Sequence, residues 1–265
     1  MNIEEPRQYG IYPLIDIRDI HLSSAWHRAC LACHKKGIRV PTPKHQSGIP
    51  LGYDAAIIIR VSDPLAEPRI HKFGITDDDI GLVSYRLEVC FGIHDHWVAE
   101  SETSWQYTYH GRVKDQFNML IQAIKLDWES KGRFGRNYQL STWIRESDVL
   151  EDDPPCLQRI GFRILYNEIN DNWVLHWQTE WRSRDLFKAW LMNAYAMTDW
   201  QRLWAKKLSK ELDINIIPGS YIDYSASLHL YGLYFQDSGL GERLEMMANR
   251  PIEDFVWETE RLLPK

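Results

Sequence analysis

The sequence predicts an α+β fold in one domain spanning residues 1–265, with a curved mixed β-sheet around one long central helix. Two alternating runs, Ile160–Tyr166 and Trp173–Thr179, flank a turn-rich stretch and are typical of a β-hairpin. The stretch Leu186–Leu208 is apolar on most sides, which is the pattern of a buried helix. The short apolar run Ala55–Val61 is followed by Asp-Pro and predicts a buried strand.

Other parts of the chain carry weaker helix and strand signals. Ser23 or Ser24 is placed to cap a helix that runs to His34. Apolar residues recur within Asp115–Lys125 at the spacing of one helix face, and Tyr138–Ile144 is predicted to be a strand. Because no repeat, low-complexity tract or linker interrupts these elements, one domain is the simplest interpretation.

The composition excludes several classes of protein. The 265 residues are 44% hydrophobic and 26% charged, an ordinary balance for a globular protein. The net charge of −6 argues against general nucleic-acid binding, although one phosphate group needs only a few local arginines. No apolar run approaches the ~18 residues of a membrane span, and the first residues do not resemble a secretion signal. We therefore expect a cytoplasmic protein with reduced cysteines and no membrane or nucleic-acid partner.

Three short patterns suggest metal or haem chemistry only weakly. Cys-Leu-Ala-Cys-His at residues 30–34 matches the c-type haem attachment motif, but it lies within a predicted amphipathic helix. His94 and His96 form a pair without an evident third ligand. The adjacent aspartates at residues 77–79 point in different directions and suit a solvated helix start better. We predict a structural helix at residues 30–34 and no metal site.

The strongest signal is an ordered series of chemically active side chains. A thiol, an arginine, a carboxylate, an amide, an imidazole and a phenol follow one another along the chain. The motifs are, in order, Pro-Pro-Cys-Leu-Gln at 154–158, Arg-Ser-Arg-Asp at 182–185, Asn193, and Ser-Leu-His-Leu-Tyr at 227–231.

This series resembles the thymidylate synthase and pyrimidine hydroxymethylase family, in particular its archaeal-type and phage members. The resemblance extends roughly from Trp105 to Tyr234, about half of the chain. It implies a thymidylate synthase-like fold that assembles as a homodimer through its sheets. Leu157 stands where bacterial members carry histidine, and Asn137 stands where a second phosphate-binding arginine is expected.

The chemistry of such a reaction accounts for the first residues of the series. A thiolate that adds to C6 of a pyrimidine makes C5 nucleophilic, which allows a one-carbon unit to be attached there. Cys156 is the expected nucleophile, with a pKa lowered by a neighbouring cation. Arg182 would be that cation and, with Ser183, would also bind the 5′-phosphate of the nucleotide.

The resemblance implies roles for the later residues. Asp185 matches the residue that holds the folate pterin ring, and it is also placed to cap the long helix. Asn193 matches the amide that reads N3 and O4 of the base. His229 and Tyr231 match the pair that binds the sugar 3′-hydroxyl, and on an alternating strand they would share one face.

Further site residues have open alternatives. Tyr107 or Tyr109 would help to remove the C5 proton, and the spacing to Arg112 favours Tyr107. Arg136 would reach the phosphate of the partner subunit, and Arg133 is placed to compensate for the departure at position 137. The remaining candidates are Arg39 or Lys44 for the phosphate, and Glu88, Glu100 or Glu102 for the active-site glutamate of the family.

The predicted activity is transfer of a one-carbon unit from 5,10-methylenetetrahydrofolate to C5 of a pyrimidine nucleoside 5′-monophosphate, with dUMP converted to dTMP. Asn193 favours a uracil base because an amide both donates and accepts hydrogen bonds, and because the deoxycytidylate hydroxymethylases of the family carry aspartate there. One alternative is hydroxymethylation of dUMP, dCMP or CMP, in which water captures the same methylene intermediate. The other alternative is a non-catalytic nucleotide-binding protein.

Overall fold

The structure is a computed structural model that describes residues 11–41, 49–75, 79–99 and 106–262. Ten strands and seven α-helices occur within these residues, so the predicted α+β class is confirmed. The strands are β1 (Leu14–Asp19), β2 (Ile38–Val40), β3 (Gly52–Val61), β4 (Ile70–His71), β5 (Gln139–Ser141), β6 (Leu157–Asn167), β7 (Asn172–Trp181), β8 (Arg184–Asp185), β9 (Ile216–Leu230) and β10 (Val256–Trp257). The helices are α1 (Leu22–Lys36), α2 (Asp79–Phe91), α3 (Tyr109–Lys131), α4 (Arg145–Asp148), α5 (Trp190–Leu212), α6 (Gly232–Asp237) and α7 (Leu240–Asn249).

Eight of the strands form one mixed sheet, as predicted. The order is β1-β3-β9-β7-β6-β5, with β2 paired to β3 and β8 paired to β9. The pairs β1–β3, β7–β9 and β8–β9 are parallel, and the other pairs are antiparallel. The two remaining strands, β4 and β10, form a separate antiparallel pair.

The predicted hairpin is confirmed and is longer than the alternating runs alone suggested. Strands β6 and β7 pair from Asn167↔Asn172 at the turn to Leu157↔Trp181 at the open end. Asp171 closes the turn in a left-handed conformation, with φ 49°. The start of β6, which follows Cys156, therefore lies beside the end of β7, which precedes Arg182.

One face of the hairpin is core and the other is partly exposed. Along β7 the side chains of Leu175, Trp177, Thr179 and Trp181 are buried, and the intervening side chains are only half-buried. This is the period of two that a sheet covered on one face produces. The partly exposed face is therefore available to a partner.

The long apolar helix forms, but it begins four residues later than predicted, at Trp190. Fifteen of the 23 residues of α5 are buried. The expected cap at Asp185 is wrong, because its Oδ1 accepts from the backbone N–H groups of Phe187 (2.9 Å) and Lys188 (3.0 Å) in a turn before the helix. The residue at the cap of α5 is Ala189, which makes no side-chain cap bond.

The helices and the strand that were predicted from weaker sequence patterns are present, but their ends or caps differ from the prediction. Helix α1 is present, but Ser24 donates to Asp19 Oδ1 (2.5 Å) instead of capping it. Helix α3 extends the predicted one in both directions and is capped by Thr108, whose hydroxyl accepts from Gly111 N–H at 2.9 Å. Strand β5 is shorter than predicted, with three residues.

The haem-like motif lies on α1, where both of its cysteines are completely buried. Burial raises the pKa of Cys30 and of Cys33, which makes these thiols poor nucleophiles. The structural interpretation of the motif is therefore supported. In the part of the chain that the structure describes, no group of three His, Cys, Asp or Glu side chains could hold a metal ion. No helix in that part is long and apolar enough to cross a membrane.

Candidate active site

Cys156 lies in the turn that leads into β6, and the end of β7 holds that turn in place. Arg182 N–H donates to the carbonyl oxygen of Cys156 (2.9 Å). The Arg182 guanidinium donates through Nε to Pro155 O (3.2 Å) and through Nη2 to Pro154 O and Asp153 Oδ1. Arg182 thus fixes the backbone that carries the thiol, and its Nη1 group has no hydrogen-bond partner among the described residues.

The electrostatic environment of the thiol differs from the prediction. Burial raises the pKa of Cys156 above its ordinary value, Arg182 and Arg184 act to lower it, and Asp153 acts to raise it. The net pKa is raised, although the expected cation is present, because removing the thiolate from water outweighs the two guanidinium charges. The Cys156 thiol is therefore protonated at neutral pH.

Arg184 is a site residue that the sequence reasoning missed. Its side chain is 2% exposed and donates through Nη2 to Asp223 Oδ1 and to Ser225 Oγ (2.8 Å). Its guanidinium carbon lies 4.1 Å from the centroid of the Trp181 ring. Both Nε and Nη1 are buried without a hydrogen-bond partner among the described residues. Two features of the sequence could have identified Arg184 and its partner. A second arginine follows Arg182 by two residues, and Asp223 interrupts the apolar alternation of β9.

Three tyrosines surround the thiol. The rings of Tyr107 and Tyr109 lie 5.8 Å apart, and the Tyr109 hydroxyl accepts from Leu157 N–H at 3.4 Å. The pKa of Tyr107 is raised to about 12, mainly by burial and then by the charges of Cys156 and Asp153. Both predicted tyrosines therefore lie near Cys156. Tyr85 on α2 was not predicted, and its buried hydroxyl has no partner among the described residues.

A second group of predicted residues meets at the junction of β8 and β9. Asp185 and His229 are register partners, and Asp185 Oδ2 accepts from the Tyr234 hydroxyl at 2.5 Å. The rings of His229 and Tyr231 are in edge-to-face contact with centroids 4.5 Å apart. Burial lowers the pKa of His229, so its ring is neutral at neutral pH, and its buried Nε2 has no partner among the described residues.

Tyr231 connects the two groups. Its pKa is raised first by burial and then by the charges of Asp185, Cys156 and Asp153. Because such charge effects act over short distances, the phenol lies near both the thiol and the carboxylate. The motifs at residues 154–158, 182–185 and 227–231 therefore lie close together in space.

Asn193 lies in the first turn of α5 and is 5% exposed. Its backbone N–H donates to Ala189 O (2.9 Å), while its side-chain amide makes no hydrogen bond with the described residues. Burying an amide without hydrogen-bond partners destabilises the folded protein unless a ligand or a water molecule forms those hydrogen bonds.

Of the three candidate glutamates, only Glu88 lies within the described residues, on α2 three positions after Tyr85. Its side chain is buried, and Oε2 accepts from His94 N–H at 2.7 Å. Its Oε1 is buried without a partner in the described part of the chain. Glu100 and Glu102 lie outside the described residues, as does the phosphate candidate Lys44.

The other phosphate candidates are spread over the surface. Arg136 and Arg133 are exposed in the loop between α3 and β5, and neither forms an ion pair with a described residue. Arg39 donates to the Tyr53 hydroxyl at 2.8 Å. Ser183 is half-buried next to Arg182, and its hydroxyl makes no hydrogen bond to described residues.

A cavity of about 190 Å³ lies beside the turn that Asp185 caps. Its walls include the aromatic rings of Phe73 and Phe187 and the cations Lys188 and Arg243. The Arg243 guanidinium carbon lies 5.1 Å from the Phe73 ring centroid. Asp237 lines the cavity as well, so its described walls combine aromatic surface with one net positive charge. Such walls suit a flat molecule that carries a carboxylate.

Two archaeal proteins are similar to this chain. Both are named "Putative thymidylate synthase" and come from Methanothermobacter marburgensis and Methanothermobacter thermautotrophicus. Each is 24% identical over 149 residues, which is 54% of this chain and 59% or 60% of the respective protein. The chain thus spans less than two thirds of these relatives. No protein-family profile matches the chain. The similarity to thymidylate synthase-like proteins is therefore distant.

Proposed function

We propose that the protein transfers a one-carbon unit from 5,10-methylenetetrahydrofolate to C5 of a pyrimidine nucleoside 5′-monophosphate, with dUMP as substrate and dTMP as product. The observation that carries the proposal is the proximity of Cys156, Arg182, Asp185 and Tyr231. The nearly buried amide of Asn193, which makes no hydrogen bond with the described residues, adds support. When bound, the folate supplies the one-carbon unit and, for a methyl product, the hydride. The distant relatives named as thymidylate synthases support this class of reaction.

Cys156 acts as the nucleophile. Its thiol first loses the proton to a base, and the resulting thiolate forms a bond to C6 of the nucleotide base. The electron pair of the C5–C6 double bond moves towards O4, which makes C5 reactive. Arg182 and Arg184 stabilise the thiolate against the cost of burial. C5 would then form a bond to the one-carbon unit that the folate supplies, and the C5 proton would leave to a base, with Tyr107 or Tyr109 assisting, as that carbon separates from the folate nitrogen. Addition of hydride, or of water for a hydroxymethyl product, to the carbon would expel the Cys156 thiolate and restore the ring double bond.

Asn193 and the pair of His229 and Tyr231 orient the nucleotide. The Asn193 amide can accept from N3–H and donate to O4 of a uracil. His229 Nε2, which has no partner among the described residues, can bond the 3′-hydroxyl beside Tyr231. The Nη1 group of Arg182 and the hydroxyl of Ser183 remain for the 5′-phosphate.

The folate is assigned to Asp185 and to the 190 Å³ cavity beside its turn. The Asp185 carboxylate would hold the pterin ring, with Tyr234 fixing its orientation through the bond to Oδ2. Phe73 and Phe187 offer aromatic surface, and Lys188 and Arg243 offer counter-ions for a glutamate tail. Asp237 also lines this cavity and offsets one of the two cations, so the lining supports the folate assignment through its aromatic surface and one net positive charge.

Release of tritium from C5-tritiated dUMP in the presence of the folate tests the proposal. We expect release by the wild type and none by Cys156→Ala, and mass spectrometry of the product identifies the methyl or the hydroxymethyl group. With 5-fluoro-dUMP and folate, a covalent adduct should map to the peptide that contains Cys156. Lack of release from dUMP, UMP, dCMP and CMP alike would favour the binding-only alternative.

We also propose a homodimer in which Arg136 reaches the phosphate bound to the partner. Arg136 is exposed and forms no ion pair with the described residues, and the outer face of the hairpin is partly exposed. Heterodimers of Cys156→Ala and Arg136→Ala chains should recover activity, because one of their two sites combines both intact residues. A chain that is monomeric at the assay concentration contradicts this assembly.

A further inference from the structure

A larger cavity, of about 450 Å³, lies on another side of α5. Its walls come from the segment before β4, from α2, from α5 and from the 3₁₀ turn at Thr259–Leu262. Tyr195, Asp199 and Arg202 share one face of α5, because they are four and three residues apart. Asn193 is about 180° around the helix from Arg202. The cavity is therefore separate from the proposed nucleotide site.

The cavity contains an excess of positive charge. Three guanidinium groups meet at the buried carboxylate of Asp199: Arg69 Nη1 lies 3.1 Å from Oδ1, and Arg86 Nε and Arg202 Nη2 contact Oδ2, the latter at 3.5 Å. One further carboxylate, Glu67, lines the cavity, and its Oε2 already accepts from two backbone N–H groups. Among the described residues that line the cavity, three cations thus face two anions.

The three arginines differ in how many donors they have left. Arg69 is buried and bonds Pro64 O, Asp199, Tyr195 O and Thr198 Oγ1, so its role is structural. Arg86 bonds Asp199 through Nε, and both of its terminal NH₂ groups lack a partner among the described residues.

Arg202 is 53% exposed, and its only ion pair with a described residue is the long contact to Asp199. Arg86 and Arg202 therefore present planar groups of unused donors to the cavity. Such groups bind phosphate oxygens in pairs.

Two further features indicate the shape of a ligand. The Thr259 hydroxyl lines the cavity and is buried without a partner among the described residues, so it adds a third kind of donor. Leu82 and Val83 of α2 form an apolar wall. Donors from three separate elements suit a tetrahedral group better than a planar carboxylate, which a single guanidinium can satisfy. The volume lies within the range of small-molecule sites and leaves room for an organic group against the apolar wall.

We infer that this cavity binds the phosphate group of a small organic molecule, at a site separate from the Cys156 site. Arg86 and Arg202 hold the phosphate, and the organic group lies against Leu82 and Val83. The inference does not depend on the proposed reaction, because none of these residues belongs to the catalytic machinery.

Isothermal titration calorimetry with phenyl phosphate and with inorganic phosphate tests the inference. We expect the wild type to bind phenyl phosphate more tightly than inorganic phosphate, and Arg86→Gln/Arg202→Gln to bind it about ten- to a hundred-fold more weakly, because charge-assisted hydrogen bonds are lost. Arg202→Gln alone should also weaken binding and should fold normally, because its side chain is half exposed. Arg182→Gln, at the proposed catalytic phosphate site, should retain binding at the cavity.

Three results would overturn the inference. In the first, the wild type does not bind phenyl phosphate. In the second, Arg182→Gln loses binding of phenyl phosphate while Arg86→Gln/Arg202→Gln retains it. In the third, the wild type binds phenyl phosphate and inorganic phosphate with equal affinity. The first would assign the arginines a purely structural role. The second would place the anion at the catalytic site, and the third would remove the organic group from the ligand.

Discussion

Removing the buried cation at Arg184 should change both the stability of the fold and the reactivity of the Cys156 thiol. The substitution Arg184→Met keeps an unbranched side chain over Trp181 and removes the charge. Asp223 then stays buried with its carboxylate opposite neutral donors among the described residues, namely Thr179 Oγ1 (2.9 Å), the Tyr221 hydroxyl (2.7 Å), Trp190 Nε1 (3.0 Å) and Ser225 Oγ (3.4 Å).

The expected loss of stability follows from that geometry. Removing one partner of a buried ion pair typically costs about 3–5 kcal/mol, because the other charge is left uncompensated. The four neutral donors that remain on Asp223 place the expected loss near the lower end, at about 3 kcal/mol. In Arg184→Met/Asp223→Asn the remaining charge is removed as well, so part of the loss should be recovered. Urea unfolding measures both quantities.

The reactivity of the thiol provides an independent measurement. Arg184 acts to lower the pKa of Cys156, so the midpoint of the pH dependence of alkylation by iodoacetamide should move to higher pH in both variants. Peptide mass spectrometry confirms that the label is on Cys156. Arg159→Gln is the matched control, because that arginine pairs with Glu180 on the partly exposed face of the hairpin. The reasoning is refuted if Arg184→Met has the alkylation midpoint of the wild type, or if the double variant is no more stable than the single variant.

The other predictions concern the base, the nucleophile and the buried histidines. Asn193→Asp should shift the ratio of kcat/KM for dUMP and dCMP towards dCMP, because a mismatched buried polar group costs ~1–3 kcal/mol, or ~5- to 150-fold. A wild type that already prefers dCMP excludes Asn193 as the residue that reads the base. Cys156→Ala should still bind dUMP in calorimetry while turnover is lost, and a loss of both would indicate a structural role for this residue. His71 is buried, its ring nitrogen contacts His27 at 3.1 Å, and burial lowers its pKa to about 2. The unfolded chain therefore binds a proton on His71 at a higher pH than the folded chain does. The contribution of the neutral His71 ring to the free energy of unfolding is complete above about pH 6.5 and decreases as the pH falls below that value. Between about pH 7.5 and 5.5 the wild type should lose ~1.4 kcal/mol more stability than His71→Gln in urea unfolding, and equal losses contradict the assignment.

The sequence alone determined the elements whose signals are local. The alternation of Ile160–Tyr166 and Trp173–Thr179 predicts a hairpin because a strand covered on one face repeats every two residues, and the structure contains that hairpin. The apolar stretch after Asp185 likewise predicts α5. The ordered series from Cys156 to Tyr231 could be proposed as a site without coordinates because each motif consists of a few neighbouring residues, and the roles of these residues stay predictions.

The ends of elements were less predictable, because they depend on competing local hydrogen bonds. Asp185 is as suitable for capping a turn as for capping a helix, and the structure uses it for the turn before Trp190. Ser24 similarly donates to Asp19 rather than capping α1. Single-residue preferences do not decide between such partners.

Only the tertiary structure decided the charge environment of the site. Arg184 and Asp223 are 39 residues apart, and Tyr85 and Glu88 come from a helix whose sequence carries no recognisable motif. The pKa of Cys156 is raised although Arg182 is adjacent, because desolvation depends on everything packed around the thiol and not on its neighbours in sequence. Burial and long-range charge are properties of the folded chain, so no local pattern encodes them.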